Sequence, residues 1–149
     1  PAILNALEEQ YVIFDYVTQF AIKHPTIDSP QVFRYLAYPD FKNYVLNKNF
    51  TYKSKVEQSL EESIKLCEKE GYSTDIKTAL KDAQTKLESS KQSELDHYQK
   101  EINALVEKEI VARYYYEKGR VMHGLSNDGE ILEALNVLHD PKRYNDLLK

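Results

Sequence analysis

A chain of 149 residues is long enough to bury one core and suits a single domain. A formal charge of −4, from 20 basic and 24 acidic residues with no long Lys/Arg block, argues against nucleic acid as a partner, because phosphate binding needs clustered cations. No apolar run approaches the roughly 20 residues that cross a bilayer, and the lone Cys67 excludes an intrachain disulfide.

The sequence opens at Pro1 without a basic and apolar leader, the expectation for a processed product or an excised fragment. Apolar residues at Ile3, Leu4, Leu7, Tyr11, Phe14, Val17 and Ala21 keep a three-and-four spacing and predict one helix from Ile3 to Lys23. His24-Pro25 stops it, since a residue before proline is pushed out of the α region. Two prolines then suggest a short helix over Pro30 to Leu36 and another opening at Pro39 or Asp40, proline being suited to a first turn.

Val56, Leu60, Ile64 and Cys67 carry a long amphipathic helix from about Lys53 to Glu70, with Cys67 as a small apolar member of its stripe and Gly71 as the stop. Ser73-Thr74-Asp75 offers a new N-cap for a helix bearing Ile76, Leu80, Ala83 and Leu87, weakened at Ser89 and Ser90, where it bends or a second helix begins. Leu95, Tyr98, Ile102, Leu105, Val106 and Ile110 predict a helix from Ser93 to between Val121 and Leu125. Asp128 or Asn127 can cap Glu130 to His139, Asp140-Pro141 ends that helix, and a last turn can dock through Tyr144 and Leu147. Nothing alternates as a strand does, and no fixed-period repeat occurs. The expected class is an all-α bundle with two or three long helices, several short ones and no sheet.

Chemistry is sparse in this pattern. Glu94 and His97 form one E-x-x-H on a helix, with Glu101 a turn later, but a di-iron bundle needs a second copy and two more carboxylates. His123 and His139 stand near helix ends, where an imidazole caps carbonyls. Four scattered glycines form no phosphate loop and no nucleophile turn. No catalytic, cofactor-binding or metal-ligating residue is therefore assigned.

The stretch around the tyrosines is more informative. On a continuous helix Glu109, Arg113, Glu117 and Arg120 fall within about 80° of one another and interrupt the apolar face. Glu109 with Arg113 and Arg113 with Glu117 are spaced to pair along the helix, and the same groups could instead meet another surface, where Arg forks onto a carboxylate. Tyr114, Tyr115 and Tyr116 would point in three directions about 100° apart, so burying all of them takes more than one neighbouring face. These seven residues, Glu109, Arg113, Tyr114, Tyr115, Tyr116, Glu117 and Arg120, form the candidate interface.

The run KEIVARYYYEKGR from Lys108 to Arg120, followed by Asp128, Ala134, Leu138, Asp140-Pro141 and Tyr144-Asn145-Asp146-Leu147-Leu148, resembles the end of a bacterial carboxyl-terminal processing peptidase. This is the tail-specific serine peptidase family, in the version found in Bacteroidetes-type bacteria. Leu7 and the segment VIFDYV from Val12 to Val17 resemble the region after its protease core. The resemblance implies a parent with a PDZ domain and a core using a serine nucleophile and a lysine base, acting in the periplasm or cell envelope on proteins with apolar C-terminal tails.

None of those catalytic residues maps onto this chain. The implied reading is residues 1–149 as one helical, noncatalytic domain C-terminal to a protease core that the chain lacks. It would support the core, shape substrate access, self-associate or bind an adaptor, with the core and PDZ domain of the same polypeptide as partners and no cofactor. The alternative is a free-standing helical protein–protein interaction module, suggested by amphipathic helices and 12 tyrosines without tryptophan. A metal-dependent helical enzyme would rest on the single E-x-x-H alone.

Overall fold

Prolines, glycines and capping side chains set many of the helix ends. The computed structural model describes residues 1–91 and 93–147, and among the described residues every regular element is a helix, as the spacing predicts. Gln92 in the weak stretch after Ser90, and Leu148 in the closing motif, lie outside the described residues. By its internal contacts the chain divides into two units, Pro1–Tyr16 with Ala37–Ala104 and Val17–Leu36 with Leu105–Lys149.

The first unit begins with α1 (Ala2–Glu9) and the start of α2 (Val12–Lys23), which corrects the expectation of one helix from Ile3. Tyr11 takes a left-handed φ of 57° between them, a conformation that costs an L-residue about 1–2 kcal/mol. The break re-phases the apolar stripe. Ile3, Ala6 and Leu7 are buried before it and Val12, Ile13 and Tyr16 after it, while Tyr11, expected on the buried face, is 68% exposed.

In α3 (Tyr38–Asn47) Pro39 sits in the first turn as predicted, and Tyr38, Phe41 and Val45 are buried. The Tyr16 ring meets Phe41 edge-on at 5.1 Å, a favoured quadrupole arrangement. Leu95 of α6 (Glu94–His97) and Ile102 of α7 (Gln99–Asn127) are buried in the same unit.

Helices α4 (Lys55–Lys69) and α5 (Thr74–Lys91) pack on one another, with Leu60, Ile64, Cys67, Leu80, Ala83 and Leu87 half-buried. Their ends are strongly specified. Ser54 and Glu57 make a reciprocal capping box, Ser54 N–H to Glu57 Oε2 at 2.7 Å and Glu57 N–H to Ser54 Oγ at 3.2 Å. Gly71 follows α4 with φ +76°, the left-handed stop that favours glycine. Ser89 and Ser90 return their hydroxyls to the carbonyls of Thr85 and Leu87, so α5 runs on to Lys91 and a separate α6 begins at Glu94.

Lys91 ties the end of α5 to the start of α4: its ammonium lies 2.6 Å from Glu57 Oε1 and donates to the Tyr52 carbonyl. Burial alone would push the Glu57 carboxyl up. Lys91 and the Ser54 amide and hydroxyl outweigh it and hold the group below the ordinary carboxylate value.

The second unit holds the rest of α2, the segment 24–36, the rest of α7, α8 (Gly129–His139) and α9 (Pro141–Leu147). The helix expected over Pro30 to Leu36 does not form. Ser29 O accepts from Val32 N–H and Phe33 N–H in a single turn, after which Tyr35 N–H goes to a side chain, Glu107 Oε2, at 2.6 Å. Its backbone is satisfied from outside, so no helical ladder is needed.

Asp128 caps α8 by accepting from Glu130 and Ile131 N–H at 2.9 and 3.2 Å, and Asp140 caps α9 through Lys142 and Arg143 N–H at 3.1 Å each. No described residue of α8 or α9 is buried, and Leu132, Leu135, Leu138, Tyr144 and Leu147 are exposed.

Candidate functional site

The tyrosine run sits at a break in α7. Tyr116 has φ 57° and ψ −158°, outside helical space, so α7 is two helical pieces, residues 99–115 and 117–127, joined by a corner. Glu107 and His123 demonstrate the bend. On a straight helix 16 residues would separate them by about 24 Å, yet His123 Nε2 lies 2.9 Å from Glu107 Oε1.

Gly119 makes the corner possible. A Cβ there would stand 2.2 Å from the Cβ of Tyr115, far inside contact distance. Only the hydrogen of glycine lets the second piece pass so close to the first.

The corner redistributes the seven candidate residues. Tyr114 donates its hydroxyl to the His24 carbonyl, and Tyr115 donates to the Ile27 carbonyl at 3.1 Å. Both phenols therefore hold the 24–36 segment, and burial pushes the Tyr114 hydroxyl above its usual value. Arg113 donates to the Thr18 hydroxyl. Arg120 spans the bend, 3.5 Å from Glu109 before it and 3.3 Å from Glu117 after it. Tyr116, at the apex, is 78% exposed, and Arg113 and Glu117 are exposed too.

A buried polar cluster lies behind this surface. His123 Nδ1 faces the Pro30 carbonyl at 2.8 Å while Nε2 faces Glu107, so each ring nitrogen has a hydrogen-bond partner. Glu107 spends its other oxygen on Tyr35 N–H, and the Asn127 amide donates to the His123 carbonyl at 2.9 Å. The groups around this histidine are a carboxylate, a backbone carbonyl and an amide. What they do is clamp residues 30–35 against α7.

Sequence spacing did not pair Glu107 with His123, because on a continuous helix the two belong more than four turns apart. The signal available was Gly119, four positions after Tyr115. The E-x-x-H residues serve other contacts: Asp96 pairs with Lys42 at 2.6 Å, His97 stands edge-on to Tyr98, and burial raises the Glu94 carboxyl. Among the described residues no group of three or more His, Cys, Asp or Glu is placed to hold a metal ion, and no helix is long and apolar enough to cross a membrane.

A helical chain with internal polar clamps and exposed leucines on its last two helices has the character of a packing module. Residues 3–138 match the family model described as "Probable PDZ-protease, C-terminal helical domain". The chain belongs to that family. No curated protein and no solved structure matches it. The match to this PDZ-protease C-terminal helical domain family takes in the Tyr116 corner, the Glu107–His123 clamp and nearly all of α8.

Proposed function

We propose that this chain is the noncatalytic accessory domain of a carboxyl-terminal processing, tail-specific serine endopeptidase of the Bacteroidetes type, working in the periplasm or cell envelope. The Ser-Lys dyad lies outside the chain, and residues 1–149 act as one domain whose partners are the protease core and PDZ domain of the same polypeptide. It supports the core or mediates substrate access, self-association or adaptor binding. The observation that carries this reading is the family match over residues 3–138.

Two surfaces supply the contacts in this proposal. One is the apex of the corner, Arg113, Tyr116 and Glu117, with Glu109, Tyr114, Tyr115 and Arg120 as the internal scaffold that aims it. The other is the line of Leu132, Leu135 and Leu138 on α8, exposed in this chain and apolar enough to be covered by the core.

The test is the double substitution Leu135→Asp and Leu138→Asp in the parent protease. Exposed side chains change stability by roughly 0.5 kcal/mol or less, so the melting temperature of this chain alone should shift by no more than about 2–4 °C. Peptidase activity of the parent should fall at least about tenfold, the loss expected when a central apolar contact worth about 1.4 kcal/mol is removed. Full activity of the doubly substituted parent would refute the docking role of α8.

A further inference from the structure

A single residue folds α7 back on itself. Tyr116, at φ 57° and ψ −158°, turns residues 117–127 onto residues 105–115 within the second unit, in a backbone region that is strained for anything but glycine. Its side chain is exposed at the apex, so no burial of the hinge residue holds the turn in place. The flanking sequence favours a continuous helix. Arg113, Glu117, Lys118 and Arg120 are good helix formers, and no proline lies between Pro39 and Pro141. A straight α7 would also set Glu109, Arg113 and Glu117 four residues apart, the spacing of a charge ladder.

The contacts across the corner are of a kind that a second chain can supply. His123 reaches Glu107 at 2.9 Å and the Pro30 carbonyl at 2.8 Å, and Arg120 reaches Glu109 at 3.5 Å. In each pair one member precedes Tyr116 and the other follows it. Straightening α7 carries the later segment away from its own chain, and the same segment of a second copy restores every one of these pairs. Exchange of an identical element is for that reason a low-cost route to a dimer.

We propose that Tyr116 is a domain-swap hinge: two copies of this chain dimerise by straightening α7 and exchanging residues 117–147, so that His123 of each engages Glu107 and the Pro30 carbonyl of the other. Two effects set the balance. Proximity favours the closed monomer, with an effective concentration on the order of 1 mM; relief of the strained Tyr116 in both chains favours the dimer. The unmodified chain should therefore dimerise with a dissociation constant on the order of 1 mM or below. The swap rests on the proposed function only for its self-association. Its test needs this chain alone, so its failure and a failure of docking on the protease core are separate results.

Gly119→Ala is the discriminating variant. The new Cβ stands 2.2 Å from the Cβ of Tyr115 in the closed corner, whereas a straight helix prefers alanine to glycine. Tyr116→Gly acts the other way, by making the corner easy. Each chain is refolded from denaturant at concentrations from about 10 µM to about 1 mM, and its mass is read by light scattering. Gly119→Ala should dimerise at least about a hundredfold more tightly than the unmodified chain, since the clash is escaped in both copies, and Tyr116→Gly at least about tenfold more weakly. In an equimolar mixture of ¹³C-labelled and unlabelled chain, isotope-filtered NOEs should join the His123 ring of one copy to Pro30 of the other. The swap is overturned if Gly119→Ala is no more dimeric than the unmodified chain, if Tyr116→Gly dimerises as tightly as the unmodified chain, or if the NOEs in the dimer stay within one copy. Where Gly119→Ala fails to fold, the unmodified chain decides: no NOE between copies at about 1 mM overturns the swap.

Discussion

Tyr38 shows how one residue's surroundings become a pH dependence. It is buried, and its hydroxyl donates to the Leu95 carbonyl at 2.5 Å. Desolvation, with the nearby Asp96 charge adding to it, pushes its pKa from 10.0 up to about 12. Above pH 10 the unfolded chain loses this proton first while the folded chain keeps it, so the stabilisation is whole below about pH 10 and lost as pH rises towards 12. Denaturant titrations across that window should show a falling unfolding free energy. Tyr38→Phe should cost about 1 kcal/mol at neutral pH for the missing hydrogen bond and flatten the alkaline slope. Tyr114, also pushed up by burial, leaves a residual slope of the same sign.

Among the elements, the corner in α7 departs furthest from what the sequence suggests, and its energetics invert the usual rules for helices. The φ 57°, ψ −158° of Tyr116 lies in a region essentially restricted to glycine and costs on the order of 1–3 kcal/mol. Tyr116→Gly should therefore stabilise the chain by on the order of 1 kcal/mol after the entropy cost of glycine is set against the relief. Gly119→Ala should destabilise it by about 2 kcal/mol or more through the clash with Tyr115. Gly124→Ala, with nothing within 4 Å of its new Cβ, should instead gain about 0.5–1 kcal/mol of helix propensity. Chemical denaturation of the three variants checks all three signs; a straight helix would give the opposite sign for the first two.

Helix ends marked by local chemistry were legible in the sequence: Pro25, Pro39, Gly71, Asp128 and Pro141 all act through their own backbone or side chain. The breaks at Tyr11 and Tyr116 were not, because tyrosine has no preference for positive φ and only the surrounding packing imposes it. Residues 30–36 were misread for a related reason: their turn is completed by Glu107 and His123, more than 70 positions away. The candidate interface was found as a cluster, but directions computed on an unbroken helix could not show that Tyr114 and Tyr115 turn to the 24–36 segment while Tyr116 stays out in solvent.

For the whole molecule, the contrast between well-buried and bare elements carries the functional account. Val106, Ile110 and Val111 of α7 are fully buried, whereas α8 and α9 bury no described residue and present Leu132, Leu135, Leu138 and Leu147. In the function proposed above, the rest of the polypeptide covers that face. The most direct measurement is amide hydrogen exchange at residues 129–147, compared between the parent protease and this chain alone. Docking predicts exchange slowed at least about tenfold in the parent, equivalent to about 1.4 kcal/mol of added protection; equal exchange in the two would contradict it.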